Sequence, residues 1–390
     1  MAEATIATRE LHVHALIDYL GFGGAEAVLA ELAAVAPSVG IRLTVGCLSR
    51  EHIDGGAGRR IVDAGIAPEY LGTSTLIGRA DRARVQAHLE RVRPDVLHTH
   101  LDYADVLGGL AARRLGLPAV STWHSAAILP GLRTRAVGAL SARVRRRASR
   151  RIVTVSEAAR RTYLERWPVD PARVVAVHNA VGRAPEPGAG AVIRRELGIP
   201  PTAPVLGVLS MLRPEKGHDV TAAALAAIRA RHPELRVIVA GDGVQRPALE
   251  RAAAQLGDGV VHLLGTRQDV MRVLDAVDLL VQPSRAEALG MSIIEGFAAG
   301  VPAVATAVGG IPEVVDETVG ATIPAPPQAA DLAAAVNRLL DDREGLRRLG
   351  RAARARYEQR FSVSRWGHAL RVVYDQALAA DGAPTGNGAR

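Results

Sequence analysis

The sequence of 390 residues contains a single cysteine, few aromatic side chains and no long apolar run. One thiol, Cys47, can build neither a disulfide framework nor a thiolate metal cluster, and it fits a reducing cytoplasm. Aromatic residues make up 3% of the chain, so few side chains could stack on bases and we expect no nucleic acid partner. No apolar run approaches the roughly 18 residues that span a bilayer, and the first residues lack the pattern of a signal peptide. We therefore expect a globular, cytoplasmic protein.

Lysine is nearly absent from a chain that is rich in arginine. Among 48 basic residues lysine occurs once, at position 216, which raises the question of what an arginine could not do there. A compact ammonium meets an anion as a point charge, whereas a planar guanidinium needs a different approach. The net charge of +8 is uneven, because residues 1–190 hold 25 arginines and 18 acids while the rest hold 23 bases and 22 acids. The first half therefore carries most of the positive charge.

Short runs rich in valine and isoleucine alternate with segments of helical periodicity along the whole chain. This alternation predicts βα units and an α/β fold with parallel sheets. This alternation is interrupted at RAPEPGAG, residues 183–190, which we interpret as a linker. We expect two doubly wound, Rossmann-like domains, at residues 1–184 and 191–362, and a final helix at 363–380. Ligands of such sheets bind at the carboxyl ends of the strands, so we expect the active site in a cleft between the domains.

The segment SMLRPEKGHD joins the first strand of the second domain to a helix. Arg213 and Lys216 lie three positions apart on this loop. Together with the N-terminus of the helix, they would direct two cations and free amides at one place, which suits a diphosphate. The alternative is that both are ordinary solvated bases on a loop.

The segment PSRAEALGMSIIEGF holds two glutamates, Glu287 and Glu295, on either side of a predicted helix start. The amides of Gly290, Met291 and Ser292 would point back toward the ligand and suit phosphate oxygens. The carboxylates could accept hydrogen bonds from sugar hydroxyls. The alternative for Glu295 is a purely structural one, an acid that is favourable near a helix start.

No Asp-x-Asp motif occurs in the sequence. Such a carboxylate pair commonly holds Mg²⁺ on a nucleoside diphosphate. We therefore expect no metal and no cofactor, with Arg213, Lys216 and the helix amides stabilising the diphosphate instead.

These motifs resemble the retaining, nucleotide-sugar-dependent glycosyltransferases of family four, which have the GT-B fold. The resemblance extends from GGAE at 23–26 to the last helix and is most specific between 205 and 315. It implies that the last helix crosses back to the first domain. The family usually has an aromatic residue after the first glutamate, where this chain has Ala-Leu-Gly.

The resemblance also implies roles for the four charged residues. Arg213 and Lys216 match the positions that hold the donor diphosphate. Glu287 matches the glutamate that contacts the transferred sugar, and Glu295 matches the one that binds the ribose hydroxyls.

The segment GFGGAE in the first domain begins like a dinucleotide fingerprint. Its third glycine position is Glu26, whose carboxylate would lie badly against a pyrophosphate, so a nicotinamide cofactor is disfavoured. The resemblance instead places Gly23 and Gly24 in a loop that closes over the diphosphate and acceptor. A tight turn before a helix is the alternative.

Other candidates come mainly from the resemblance. It implies that His124, in STWHS at a strand end, contacts the donor sugar near the reacting carbon, whereas an isolated loop histidine is more often surface. It also places Gly265 and Arg267 near the nucleotide base. Further positions could be contacts or ordinary turn residues: Asn179, Asp242, Gly309 and Gly310.

His98 and His100 share one face at the end of a predicted strand, PDVLHTH. Two imidazoles would bind zinc only with a third ligand nearby, and none is evident. Acceptor binding or packing is the better interpretation.

Residues 106–156 contain ten arginines and no acid. Within 131–151 apolar residues interleave with bases at near-helical spacing, as in helices that lie on anionic membranes. A solvated helix face is the equally weighted alternative.

The residues and the family resemblance together predict a metal-independent glycosyltransferase, and the resemblance implies that it is a retaining one. It would move a hexosyl-type sugar from a nucleoside diphosphate donor to a hydroxyl of a glycan, lipid or small-molecule acceptor. It would be cytoplasmic, with peripheral binding to the inner face of a membrane left open. Two alternatives remain, a nucleotide-sugar 2-epimerase of the same fold and a non-catalytic protein that binds sugar nucleotides.

Overall fold

The structure is a computed structural model that describes residues 9–21, 23–49, 56–73, 75, 78–124, 132–182, 184–186 and 188–380. The chain divides into two units. The first unit runs to Asn179 and resumes at Val363, and the second unit is Ala180–Ser362.

Each unit is built on one parallel sheet, with seven strands in the first unit and six in the second. The strands of the first unit are Leu11–Ile17 (β1), Ile41–Cys47 (β2), Glu69–Tyr70 (β3), Val96–His100 (β4), Ala119–Trp123 (β5), Arg151–Thr154 (β6) and Val174–Ala176 (β7). Those of the second unit are Val205–Leu209 (β8), Arg236–Ala240 (β9), Val261–Leu263 (β10), Leu279–Gln282 (β11), Ala303–Thr306 (β12) and Gly320–Ile323 (β13).

Helices connect the strands and cover the sheets. They are Gly24–Val35 (α1), Ala57–Asp63 (α2), Arg79–Val92 (α3), Asp102–Leu115 (α4), Leu132–Ala148 (α5), Glu157–Arg166 (α6), Ala189–Glu196 (α7), His218–Arg231 (α8), Arg246–Leu256 (α9), Val270–Asp275 (α10), Met291–Ala298 (α11), Ile311–Val314 (α12), Ala329–Asp341 (α13), Arg343–Arg356 (α14) and Val363–Ala379 (α15).

The central strands are buried along their whole length. All seven residues of β1 and all five of β8 are buried, as expected for strands between two helical layers. The strand order is β3-β2-β1-β4-β5-β6-β7 in the first unit and β10-β9-β8-β11-β12-β13 in the second. In each sheet the order therefore reverses beside the first strand of the unit, which is the place where doubly wound sheets bind ligands.

The predicted α/β fold is confirmed, and the final helix predicted at 363–380 forms over Val363–Ala379. The predicted linker at 183–190 is wrong at its end, because α7 begins at residue 189. A polar tail at 381–390, predicted to be disordered, lies outside the described residues.

The arginine-rich segment contributes at least one buried, paired arginine to the interior of the first unit, which its composition does not indicate. Arg145 on α5 is 3% exposed and forms a buried ion pair with Asp105 on α4. Its Nε also lies 3.0 Å from Ser121 Oγ on β5. The interpretation of a wholly solvated basic face is therefore wrong for Arg145, whose partner lies one residue before the acid-free stretch.

The apolar side of α5 is already covered near its C-terminal end, where Ala142 and Val144 are buried. Arg135, Arg143 and Arg147 are exposed on the same helix. An anionic surface would meet these guanidinium groups rather than that part of the apolar stripe. Within the described residues no helix is long and apolar enough to cross a membrane.

Candidate active site

An ion pair lies at the carboxyl ends of β8 and β11, the adjacent strands between which the order of the second sheet reverses. Lys216 Nζ donates to Glu287 Oε2 at 2.5 Å. Lys216 ends a short 3₁₀ turn after β8, and Glu287 lies in the loop after β11. Their side chains are 22% and 11% exposed, so the pair is shielded from water but still reachable by a ligand.

The Glu287 carboxylate has two further donors. Gln282 Nε2, at the end of β11, donates to Oε2 at 2.7 Å, and the Ala288 amide lies 3.3 Å from Oε1. Sequence reasoning missed Gln282, although a polar residue at the end of a buried strand is a usable signal. Three contacts, counting Lys216, therefore fix this carboxylate before any ligand arrives.

Two glycines allow the loops around the pair to pack closely. A Cβ at Gly217 would lie 1.9 Å from the carbonyl oxygen of Pro283, and one at Gly309 would lie 1.7 Å from that of Glu287. Both residues have positive φ, 71° and 53°. Gly310 donates its amide to the Glu287 carbonyl oxygen at 3.4 Å. The loop after β12 thus supports Glu287 directly, so Gly309 acts as a support for the glutamate.

Arg213 has a different acid partner from Lys216. Its NH1 lies 3.9 Å from Glu215 Oε1, and its side chain is 53% exposed. The structure therefore holds Lys216 against Glu287 and leaves Arg213 at the surface of the same loop. That both cations contact one diphosphate stays a prediction.

Helix α11 begins beside this loop. Gly290, with φ 101°, precedes it, and the helix starts at Met291. Ser292 and Glu295 lie in its first five residues and are partly exposed, as is Met291. Glu295 thus lies inside the helix and Glu287 before it, as the sequence predicts, and their contacts with a ligand stay predictions.

The loops after β9 and β10 are joined by a backbone hydrogen bond. Gly241 donates to the Gly265 carbonyl oxygen at 2.8 Å, so this carbonyl is already engaged in the loop structure. Arg267 pairs with Asp269, at 2.7 Å between NH2 and Oδ2. Asp242 accepts from the Gly243 amide at 2.7 Å, which is the contact of a turn residue.

In the first unit, the predicted glycine loop precedes α1. A Cβ at Gly23 would lie 2.3 Å from Glu26 Oε2, so the glycine makes room for the buried glutamate of its own helix. A Cβ at Gly24 would meet nothing within 4 Å. Of the two glycines, Gly24 is the one that leaves open space.

Three histidines lie together at the carboxyl ends of β4 and β5. His100 Nδ1 and His124 Nε2 are 3.0 Å apart, and the rings of His98 and His100 lie 4.1 Å apart. His98 is held by Thr122 Oγ1 at 2.7 Å and by Tyr374 of α15 at 2.8 Å. Within the part of the chain that is described, no group of three ligating side chains could hold a metal.

These histidines are held neutral. Burial lowers the pKa of His98 to about 3 and lowers the pKa of His124 well below its usual range. The nearby Arg145 guanidinium further lowers the pKa of His124. Because His98 and His100 are each 1% exposed, the structure favours packing over acceptor binding for this pair.

Sequence reasoning also missed Asp18, which follows β1. Its carboxylate accepts from the amides of Tyr103 at 3.2 Å and Ala104 at 2.6 Å, at the N-terminus of α4. Burial raises the pKa of Asp18 to about 8, against the opposite effect of these two amides. Its signal in the sequence is its place directly after a buried strand.

The closeness of Gly309 to Glu287 gives a direct test of how the carboxylate is supported. We expect Gly309→Ala to lower the transfer rate at least tenfold, since a methyl group 1.7 Å from the Glu287 carbonyl oxygen must displace that loop. Gly257→Ala is the matched control, because Gly257 also has positive φ, 90°, but a Cβ there meets nothing within 4 Å. Equal rates for the two variants would show that the loop does not support Glu287.

Comparison with known proteins agrees with this arrangement. Residues 22–183 match the family described as "Glycosyltransferase Family 4", and residues 191–356 match "Glycosyl transferases group 1". A D-inositol 3-phosphate glycosyltransferase of Saccharomonospora viridis is 34% identical over 76% of this chain and 73% of its own length. One of the same description from Salinispora arenicola is 33% identical, over 78% and 72%.

Solved structures show the same fold. Anabaena Alr3699/HepE in complex with UDP-glucose has a TM-score of 0.80 at 23% identity, covering 94% of this chain and 99% of that one. Sucrose-phosphate synthase from Thermosynechococcus elongatus has a TM-score of 0.78 at 20% identity, covering 95% and 100%.

Two units, each built on one parallel sheet covered by helices, are the architecture of the GT-B fold, which the solved structures share. The sequence relatives are described as D-inositol 3-phosphate glycosyltransferases, and they align with most of this chain. The chain belongs to glycosyltransferase family four. This sets aside the epimerase and the non-catalytic alternatives.

Proposed function

We propose that this glycosyltransferase moves a hexosyl-type sugar from a nucleoside diphosphate donor to an acceptor hydroxyl, with retained anomeric configuration and without a metal. The observation that carries the proposal is the 2.5 Å contact between Lys216 and Glu287 at the ligand-binding edge of the second sheet. In this proposal the Lys216 ammonium binds the diphosphate and the carboxylate beside it binds the sugar, and the contact between them supports that division.

The leaving group explains the need for the cation. As the bond between the anomeric carbon and the diphosphate oxygen lengthens, negative charge grows on the diphosphate. A fixed ammonium and the aligned amides of α11 stabilise that state more than the ground state. In the unliganded site Glu287 balances the ammonium, so a bound donor would share or displace this contact. Arg213, on the same loop, supplies the second cation.

Retention follows if the acceptor attacks on the face that the leaving group departs from. The bond from the anomeric carbon to the diphosphate oxygen breaks, the bond to the acceptor oxygen forms, and the acceptor proton passes to the departing diphosphate. This scheme needs no protein nucleophile. Glu287 would bind the transferred sugar, Glu295 the ribose hydroxyls and His124 the donor sugar, as the family resemblance implies.

The donor and acceptor classes are suggested by the known proteins. A structural neighbour is seen with UDP-glucose, which makes a uridine diphosphate hexose the first donor to test. The sequence relatives are described as D-inositol 3-phosphate glycosyltransferases, so a phosphorylated polyol is the first acceptor to test. The excess of arginine in the first half of the chain suits an anionic acceptor.

A thermal-shift panel of UDP-, GDP-, ADP- and TDP-sugars tests the donor, since a ligand that binds only the folded protein raises its stability. We expect one nucleotide to raise the melting temperature in the presence of EDTA. Incubation of that donor with inositol 3-phosphate, glycans or lipid acceptors should then release free nucleoside diphosphate and an α-linked product from an α-linked donor. A product of inverted configuration would overturn the stereochemical part of the proposal.

Substitution of Glu287 and substitution of Glu295 should impair different steps, sugar transfer and nucleotide binding. We expect Glu287→Gln chiefly to lower the rate of transfer, leaving nucleoside diphosphate affinity unchanged or higher because Lys216 loses its counter-charge. Glu295→Gln should chiefly weaken nucleotide binding. Titration calorimetry and steady-state kinetics on both variants separate the effects, and the reverse order would refute the division of roles.

A further inference from the structure

The hydrogen bond between His100 and His124 connects a deeply buried imidazole to a partly exposed one. His100 Nδ1 lies 3.0 Å from His124 Nε2, and His100 is 1% exposed whereas His124 is partly exposed. One of the two nitrogens must carry the hydrogen. Which one it is decides what the other nitrogen of His124, Nδ1, can offer a ligand.

The surroundings of His100 distinguish the two arrangements. Its Nε2 is buried and has no hydrogen-bond partner within the described residues. If His124 donated to His100, the proton of His100 would sit on this nitrogen as a buried, unsatisfied N–H group. If His100 donates through Nδ1, only a lone pair is left unpaired. Orphaned buried N–H groups are the rarer of the two.

A second buried histidine, His218, also has one ring nitrogen in a hydrogen bond and the other without a partner among the described residues. Its Nε2 lies 3.1 Å from the carbonyl oxygen of Met211, which can only accept, so Nε2 carries the hydrogen. Its Nδ1 is buried and unpartnered among the described residues, and it is therefore a lone pair.

We propose that His100 is a positioning residue that donates its Nδ1–H to His124 Nε2 and so holds His124 as the Nδ1–H tautomer. His124 then offers a ligand a hydrogen-bond donor, not a base. Its part in the reaction is to donate to an oxygen of the donor sugar, and the acceptor proton leaves with the diphosphate. This role for His124 rests on the proposed function, whereas its tautomer does not.

The stack behind His100 keeps it in place. His98 packs on the His100 ring at 4.1 Å, and both nitrogens of His98 are fixed by hydroxyl groups, those of Thr122 and Tyr374. Tyr374 lies on α15, so the C-terminal helix supports the histidine stack of the first unit.

The tautomer can be read from nitrogen chemical shifts of ¹⁵N-histidine-labelled protein, with His124 assigned by its loss in His124→Gln. We expect wild-type His124 to carry its hydrogen on Nδ1 at neutral pH. Hydrogen on Nε2, or a doubly protonated ring, overturns the proposal. This measurement needs no turnover, so it stands even if the transfer reaction is not as proposed.

Kinetics then test the consequence. We expect His100→Phe, which keeps a ring but loses the donor, to lower kcat roughly tenfold with little change in KM, as for other residues that orient an imidazole. His100→Asn, which keeps an amide donor near the Nδ1 position, should restore most of the rate. Equal losses in the two variants would overturn the positioning role.

His88→Phe is the matched control. It removes one member of a second buried histidine pair in the same unit, in which His14 Nε2 and His88 Nε2 lie 3.0 Å apart. We expect its kcat to match the wild type. If instead His124→Ala transfers sugar at the wild-type rate, the role of His124 in the proposed function fails while the tautomer result is unaffected.

Discussion

Lys216→Ala is expected to lower turnover about a hundredfold or more, by comparison with the removal of one preorganised donor from a transition-state site. The ammonium lies where the order of the second sheet reverses and is held against Glu287 at 2.5 Å. Removing it leaves the growing charge of the diphosphate without its fixed cation, and leaves Glu287 as an uncompensated carboxylate beside that charge.

Lys216→Arg is the informative comparison, because 47 of the 48 basic residues are already arginine. A planar guanidinium cannot occupy the position of a point-like ammonium without moving the loop. We expect an intermediate rate, clearly below the wild type. Steady-state kinetics with the donor identified by the panel measure both variants. Turnover of Lys216→Ala within a factor of three of the wild type would remove the diphosphate role of this residue.

The second large effect is acid unfolding of the first unit. Burial lowers the pKa values of His14 and His98 to about 3, and lowers those of His100 and His124 well below their usual range. Below about pH 6.5 these histidines become protonated in the unfolded chain but stay neutral in the folded unit. The free energy of unfolding therefore falls as the pH falls from 6.5 toward 3, by up to about 1.4 kcal/mol per pH unit for each histidine.

Asp18 acts in the opposite direction. Its pKa is raised to about 8 by burial, so the folded unit keeps a proton that the unfolded chain loses above about pH 4, and its contribution to stability grows as the pH falls. Because Asp18 acts over the whole range from about pH 8 to 5 and each histidine only below about pH 6.5, this carboxyl group offsets about two of the four histidines over that range. Between pH 8 and 5 the net loss is on the order of 4 kcal/mol, which corresponds to a fall in Tm of about 10 °C.

Tryptophan fluorescence reports this transition selectively. All three tryptophans, Trp123, Trp167 and Trp366, belong to the first unit, while circular dichroism follows both units. We expect the fluorescence transition to move to lower temperature at pH 5 and to precede the transition of the second unit. His14→Gln should make the pH dependence shallower, and the same change at the exposed His368 should not. A fluorescence Tm that is equal at pH 8 and pH 5 would show that the buried histidines do not destabilise the first unit in acid.

The sequence was sufficient for the secondary-structure elements and for naming candidate site residues, whose roles stay predictions. Alternating apolar and helical runs predict the βα order, and the isolated lysine and the Glu287 and Glu295 pair mark the second domain. These signals are local in sequence. They depend on residues that are close in sequence, because apolar periodicity and turn residues determine where a strand or helix begins and ends.

The contacts could not be predicted because they depend on which strands become neighbours. Lys216 meets Glu287 across 71 positions only because β8 pairs with β11, and no local pattern records that pairing. Arg145 finds Asp105 through the packing of α4 on α5, so an acid-free stretch of sequence did not mean a solvated one. His100 reaches His124 for the same reason, through the pairing of β4 with β5.

The proposed mechanism depends on Lys216 holding the diphosphate without a metal ion. Titration calorimetry of UDP and of uridine, with wild type and Lys216→Ala in EDTA, tests it directly. We expect the wild type to bind UDP in EDTA, Lys216→Ala to weaken UDP binding at least tenfold, and uridine to bind both proteins alike. Equal UDP affinity for the two proteins, or UDP binding that appears only when Mg²⁺ is added, would contradict it.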